Sequence, residues 1–210
     1  SFAVGAVLFG VLFMTVPGTP AVQAAAQGRI AAPELNGGVD WLNTDKPLTL
    51  KELRGRIVLL DFWTLCCINC IHVMPDLARL EARYPNVLVV IGVHSPKFEN
   101  EKKSSSIFKA ILRYEIAHPV VNDADHKIWN AYGVRSWPTM GLIDPDGNIV
   151  RGYAGEGNYD QLDKDIANLV KVYKAKGTLK ETPITFKLEK EKDVKPIYFP
   201  GKVLADGASK

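Results

Sequence analysis

The chain has 210 residues, of which 47% are hydrophobic and 23% are charged, with a formal net charge of +3. This composition is that of an ordinary soluble globular protein long enough for one hydrophobic core. Basic residues are not clustered with aromatic residues, so nucleic acid is not an expected partner.

The first 26 residues differ from the remainder. An apolar run over residues 2–16 is followed by Pro17-Gly18 and a stretch of small residues at 21–26. This pattern is typical of a secretory signal peptide and is short for a transmembrane span, although an uncleaved membrane anchor over residues 2–16 stays open. Both interpretations predict an extracytoplasmic chain, periplasmic or secreted, that meets the membrane only through this segment.

Residues 27–40 are rich in Ala, Pro and Gly and are expected to be a linker. Residues 41–176 then alternate between apolar runs and helical periods, which predicts an α/β domain with a central mixed β-sheet flanked by helices on both faces. The predicted strands are 57–63, 87–93, 119–122, 139–143 and 148–154; the predicted helices are 68–84, kinked at Pro75, about 100–117, 125–132 and 159–176.

After Gly177 the sequence becomes rich in Lys and Glu. Residues 177–210 are expected to be a charged tail, because this segment cannot form a domain alone.

The most informative motif is Cys67-Ile68-Asn69-Cys70, which lies between the first long predicted strand and the helix after it. Cys67 is therefore expected at the N-terminus of that helix. Unpaired N–H groups and the helix dipole favour a thiolate over a thiol at that end. A C-x-x-C pair in this position predicts a redox site.

Metal binding is the main alternative from the residues themselves, with Cys66 and His72 close to the pair. A zinc or copper site of this kind usually needs a second pair of ligands, and the other histidines are scattered, so no metal is predicted. Covalent haem attachment is excluded, because Ile71 stands where the motif needs histidine.

Several segments resemble the thioredoxin superfamily, especially redoxins of the TlpA type. The resemblance covers roughly residues 40–175 and is carried by 41–43, 47–55, 58–70, Pro75, Trp137-Pro138-Thr139 and 143–150. The local sequence Cys66-Cys67-Ile68-Asn69-Cys70, with His72 after it, resembles that of thioredoxin-like domains that precede an NHL-repeat β-propeller. By this resemblance, the tail leads toward an NHL propeller outside the chain.

The resemblance implies a role for each site residue. Cys67 and Cys70 would form the redox-active disulfide, Cys67 as the attacking thiolate and Cys70 as the resolving thiol. Pro138 would be a cis-proline facing them. Asp61 would be a buried acid of raised pKa that moves a proton to or from Cys70. The alternative for Asp61 is a strand-end residue bonded to the backbone.

Substrate contacts are expected from Trp137, Trp63, Ile68 and Asn69. The chain departs from thioredoxins proper at Cys66, where those proteins have tryptophan. A plain buried cysteine is the favoured interpretation of Cys66, and competition for the disulfide is the alternative.

The sequence therefore predicts a thiol-disulfide oxidoreductase that works through a mixed disulfide without a cofactor. Its partners would be protein disulfides or dithiols and a redox partner. The rival hypothesis is a non-catalytic interaction module with a structural disulfide. A peroxiredoxin-like peroxidase has only Thr64 in its favour.

Overall fold

The computed structural model describes residues 29–188. The predicted signal peptide or anchor at 1–26 and the end of the tail, residues 189–210, lie outside the described residues.

A seven-stranded mixed sheet forms the centre of the fold, with strand order β1-β7-β6-β3-β4-β5-β2. The strands are β1 (Ile30–Ala31), β2 (Asp40–Leu42), β3 (Ile57–Trp63), β4 (Leu88–His94), β5 (Val120–Asn122), β6 (Thr139–Ile143) and β7 (Asn148–Ala154). The described helices are α1 (Ile68–Arg83), α2 (Ser104–Arg113), α3 (Lys127–Ala131) and α4 (Tyr159–Ala175), with a 3-10 turn at Glu99–Lys102.

Strand β3 lies in the middle of the sheet, and all seven of its residues are buried. It runs parallel to β4 and antiparallel to β6. Because side chains alternate along a strand, Val58, Leu60 and Phe62 enter the core on one face of the sheet. The opposite face receives Ile57 and Leu59, together with the buried face of α1.

Helix α1 packs onto this second face through Cys70, Val73, Leu77 and Leu80, which are buried and recur at helical spacing. Pro75 lies inside the helix. The end of β3 and the start of α1 are only four residues apart, so the loop between them brings the two cysteines to the edge of the sheet.

The predicted α/β class and mixed sheet are confirmed, with every predicted strand present to within one residue at each end. Two features differ. The helix expected near 100–117 is a 3-10 turn followed by the shorter α2, and β1 and β2 were not predicted.

The described part of the expected linker is built into the fold, which corrects that expectation. Leu35 is buried in the core, and Glu34 accepts hydrogen bonds from the backbone N–H groups of Leu50 and Lys51 at 2.8 and 3.0 Å. The start of the tail also packs on the domain, through Ile184 and Phe186. Within residues 29–188, no helix combines the length and apolarity required to cross a bilayer.

Candidate redox site

Cys67 and Cys70 are joined by a disulfide, with their Cα atoms 5.3 Å apart. Cys67 is the N-cap of α1, and its Sγ accepts a hydrogen bond from the backbone N–H of Cys70 at 3.2 Å. The first turn of α1 contains no acidic residue to oppose negative charge there. In the reduced state this arrangement stabilises a thiolate on Cys67.

The two sulfur-bearing residues differ in access. Cys67 is 8% exposed and Cys70 is 1% exposed. An incoming sulfur therefore reaches Cys67 more readily than Cys70, which is covered by the helix.

The loop before the disulfide is held by two buried side chains. Glu101 Oε2 accepts hydrogen bonds from Thr64 Oγ1 at 2.6 Å and from the N–H of Lys97 at 2.7 Å. His94 Nε2 accepts from the N–H of Leu65 at 3.3 Å. Burial lowers the pKa of His94 to about 4, so its ring is neutral at pH 7 and can accept this bond. Thr64 is thereby a structural anchor of the loop.

Cys66 is a free, exposed cysteine, which corrects the expectation that it is a plain buried residue. Partial desolvation of its thiol and a hydrogen bond to Glu101 both raise the pKa of Cys66. Adjacent cysteines thus have opposite environments: the helix N-terminus favours the thiolate of Cys67, and a carboxylate disfavours that of Cys66.

The Trp137–Pro138 peptide bond is cis, as expected, and Pro138 is buried at the start of β6. Trp137 Nε1 donates a hydrogen bond to Ser95 O at 3.0 Å, and the Trp137 ring lies 4.4 Å from that of Trp129. Trp137 also packs against the cluster that contains Cys67 and Cys70. Trp137 as a whole is half-buried.

The other expected substrate contacts divide by exposure. Ile68 is 61% exposed and Asn69 is exposed, both in the first turn of α1. Trp63 is fully buried in the same cluster as the cysteines. This burial corrects the expectation that Trp63 contacts substrate.

Asp61 lies in β3 on the face covered by α1 and is 2% exposed. Its Oδ1 accepts no hydrogen bond from any residue that the structure describes. Desolvation raises the pKa of Asp61 from 3.8 to about 7, against a smaller lowering by His118. A carboxyl group with this pKa can take up and release a proton near neutral pH.

Sequence reasoning missed Glu101 and His118. Glu101 is 35 residues beyond Cys66 and His118 is far from any motif residue, so neither has a spacing that would mark it. Only the folding of the loops after β4 and before β5 brings them to the site.

Within the described range, no three or more His, Cys, Asp or Glu side chains are grouped to hold a metal ion. His72, the nearest histidine in sequence, is exposed and pairs with Glu156 at 2.9 Å.

Comparisons with known proteins agree with this geometry. A family model for thioredoxin-like proteins matches residues 55–149. The chain is 46% identical over 181 residues to NHL repeat-containing protein 2 of Gallus gallus, covering 84% of this chain and 25% of that protein. It is 44% identical over 185 residues to the protein SUPPRESSOR OF QUENCHING 1, chloroplastic, of Arabidopsis thaliana, covering 86% and 18%. The chain thus spans a quarter or less of the length of these relatives.

A shorter relative matches over nearly its whole length. The thiol-disulfide oxidoreductase YkuV of Bacillus subtilis is 28% identical over 135 residues, covering 64% of this chain and 90% of that protein. Among solved structures, a thioredoxin-like protein in its oxidised form superposes with a TM-score of 0.62 at 27% identity, covering 69% of this chain and 97% of the other.

Proposed function

Because the domain around Cys67 and Cys70 belongs to the thioredoxin-like family, we propose that the chain is a thiol-disulfide oxidoreductase acting through these two cysteines. The observation that carries the proposal is a disulfide whose outer sulfur caps a helix N-terminus while its inner sulfur is covered. The similarity to a thiol-disulfide oxidoreductase supports the same chemistry.

In the reducing direction, the Cys67 thiolate attacks a substrate disulfide. One substrate sulfur leaves as a thiolate, and a Cys67–substrate disulfide forms. The Cys70 thiol then loses its proton and attacks Cys67 Sγ. The Cys67–Cys70 bond forms, the second substrate thiolate leaves, and two electrons have passed from the dithiol to the substrate. The oxidising direction is the reverse.

Asp61 is the acid–base group of this proposal. Cys70 is too well covered to exchange its proton freely with solvent. A carboxylate on the same face of the sheet, with a pKa of about 7, can accept the Cys70 proton when Cys70 attacks and return it in the reverse step.

Cys67 and Cys70 can be tested by serine substitution in a dithiol-driven reduction of a protein disulfide. Cys67→Ser is expected to lose all catalysis, because no nucleophile remains. Cys70→Ser is expected to accumulate a mixed disulfide with the substrate, which non-reducing electrophoresis detects. Cys66→Ser is the matched control and keeps activity. Catalysis that survives Cys67→Ser, or that is lost equally in Cys66→Ser, contradicts the assignment.

A complete lack of catalysis by the unmodified chain would instead favour the non-catalytic interaction module with a structural disulfide. In that case the disulfide affects only the free energy of unfolding, and reducing it lowers stability without exposing a reactive thiol.

We also propose an extracytoplasmic location and a following NHL propeller. The location rests on the apolar segment at residues 2–16 and the small residues after it. The propeller rests on the coverage of NHL repeat-containing protein 2, of which this chain matches 25%. Sequencing of a full-length transcript tests the propeller, and fractionation of tagged protein tests the location. A protein found only in the cytoplasm contradicts the proposed extracytoplasmic location.

A further inference from the structure

The buried carboxyl group of Asp61 has a neighbouring strand position without a side chain. Asp61 pairs with Gly92 of β4. A Cβ placed on Gly92 would lie 2.9 Å from Trp63 Nε1 and 3.6 Å from His118 Nε2. Trp63, Val120 and the imidazole of His118 therefore share the space beside Asp61 that a β4 side chain would otherwise occupy. The effect of His118 on the pKa of Asp61, a lowering, agrees with this proximity.

His118 has polar partners at both its backbone and its ring. It is 5% exposed. Asn43, itself fully buried, donates hydrogen bonds from Nδ2 to Ile116 O at 2.8 Å and to His118 O at 3.0 Å. The Nδ1 atom of His118 lies 3.4 Å from Glu81 Oε2 on α1. His118 Nε2 thus lies on the side of the ring toward Asp61, and His118 Nδ1 lies beside the Glu81 carboxylate.

Glu81 connects this buried ring to solvent. Its side chain is 27% exposed and lines a groove of about 330 Å³ between α1 and the segment before β5. The groove is lined by Ile71, Met74, Pro75, Ala78, Glu81 and residues 114–118, and neither Cys67 nor Cys70 is among them. The other ionisable groups of the lining are Tyr114 and Glu115.

We propose that His118 and Glu81 carry the proton between buried Asp61 and solvent in this groove, on a route separate from the disulfide. Asp61 could then regain its working protonation state while a bound protein substrate covers Cys67. This inference rests on the proposed oxidoreductase function for its purpose, although the route itself does not require catalysis.

When Cys70 attacks the mixed disulfide, its thiol proton passes to the Asp61 carboxylate. Asp61 gives a proton to His118 Nε2, and His118 Nδ1 releases one to Glu81, which returns it to water. The Asp61 carboxylate is restored, one proton has reached solvent, and no electrons move along this path.

The route can be tested without catalysis by following the Asp61 carboxyl resonance through a pH titration. The probe is the oxidised chain, with Asp61→Asn identifying the signal. His118→Asn is expected to raise the midpoint of Asp61, because the lowering contributed by the imidazole is lost. Glu115→Gln, which alters a carboxylate of the same groove, leaves the midpoint unchanged. An unchanged midpoint in His118→Asn overturns the inference.

Kinetics separate proton transfer from a structural role. In His118→Ala and in Glu81→Gln, the attack of Cys70 on a preformed mixed disulfide is expected to slow by about tenfold, below the range for a direct acid–base group. Added imidazole restores the rate of His118→Ala but does not affect His72→Ala, the control on the exposed face of α1. Thermal unfolding confirms that each variant is folded.

A slowed His118→Ala that imidazole does not rescue overturns the relay and leaves only a packing role. An unchanged rate in both variants overturns it as well. If the unmodified chain shows no exchange at all, the proposed function fails, and the titration of Asp61 then decides the route alone.

Discussion

Asp61→Asn removes the ionisable group from the middle of β3 while keeping the shape of the side chain. The ionised form of Asp61 is disfavoured in the folded state, since burial raises its pKa to about 7 and no described residue donates a hydrogen bond to Oδ1. The substitution is therefore expected to stabilise the fold at neutral and alkaline pH.

The pH dependence follows from the direction of the shift. The folded protein keeps the Asp61 proton up to about pH 7, whereas the unfolded chain releases it near the ordinary value of 3.8. The folded state thus binds more protons between these values, and stability falls as pH rises through that window. At about 1.4 kcal/mol for each pH unit, the full cost above pH 7 is about 4 kcal/mol for the separation between 3.8 and about 7.

Urea unfolding of the oxidised chain, followed by tryptophan fluorescence between pH 4 and pH 8.5, measures this cost. Asp61→Asn and the unmodified chain are expected to be nearly equal at pH 4 and to diverge toward about 4 kcal/mol at high pH. Asp125→Asn, an exposed carboxylate that pairs with Lys127, is the control and shows no comparable divergence. A constant difference across the range would refute the reasoning from burial.

The same variant tests the catalytic role. Asp61→Asn is expected to slow reduction of a model disulfide by about 10²-fold, the low end of the range for one acid–base group. Lower activity together with higher stability is the combined signature of a functional buried acid. Full activity would mean that the Cys70 proton leaves by another route.

Two further outcomes are expected. In the reduced chain at pH 7, iodoacetamide should label Cys67 faster than Cys66, because the helix N-terminus favours the Cys67 thiolate and burial raises the pKa of Cys66; labelling led by Cys66 would reverse the assignment. Gly92→Ala should cost about 1–3 kcal/mol, since its Cβ would lie 2.9 Å from Trp63 Nε1, whereas Gly141→Ala, whose nearest neighbour is at 3.9 Å, should cost much less. Equal costs in urea unfolding would contradict this packing.

The parts of the site that the sequence predicted are those in which the chemical motif lies within a clear local pattern of secondary structure. The apolar run of β3, the helical period of α1 and the C-x-x-C between them are consecutive in the chain, so their junction follows from short-range signals. The lone carboxylate of Asp61 within β3 was equally visible, and its raised pKa follows from burial.

The parts that sequence reasoning missed depend on long-range packing. β2 is three residues long and pairs with β5 about eighty residues later, so no local pattern marks it. The sequence predicted that Trp63 contacts substrate. The alternation of side chains along β3 instead directs Trp63 into the core on the face covered by α1. No local pattern marks His118, whose ring lies beside Gly92, the partner of Asp61 in the neighbouring strand, only in the folded chain.

The reduction potential of the Cys67–Cys70 pair tests the central claim most directly. The Cys66→Ser variant is used, so that the third thiol does not contribute. The protein is equilibrated in thiol–disulfide buffers of graded potential and alkylated, and mass spectrometry then gives the fractions of the reduced and oxidised forms. A working couple is expected to titrate reversibly between about −120 and −270 mV, the range of thiol-disulfide oxidoreductases. A pair that stays oxidised until below about −300 mV, as structural disulfides do, would contradict the account.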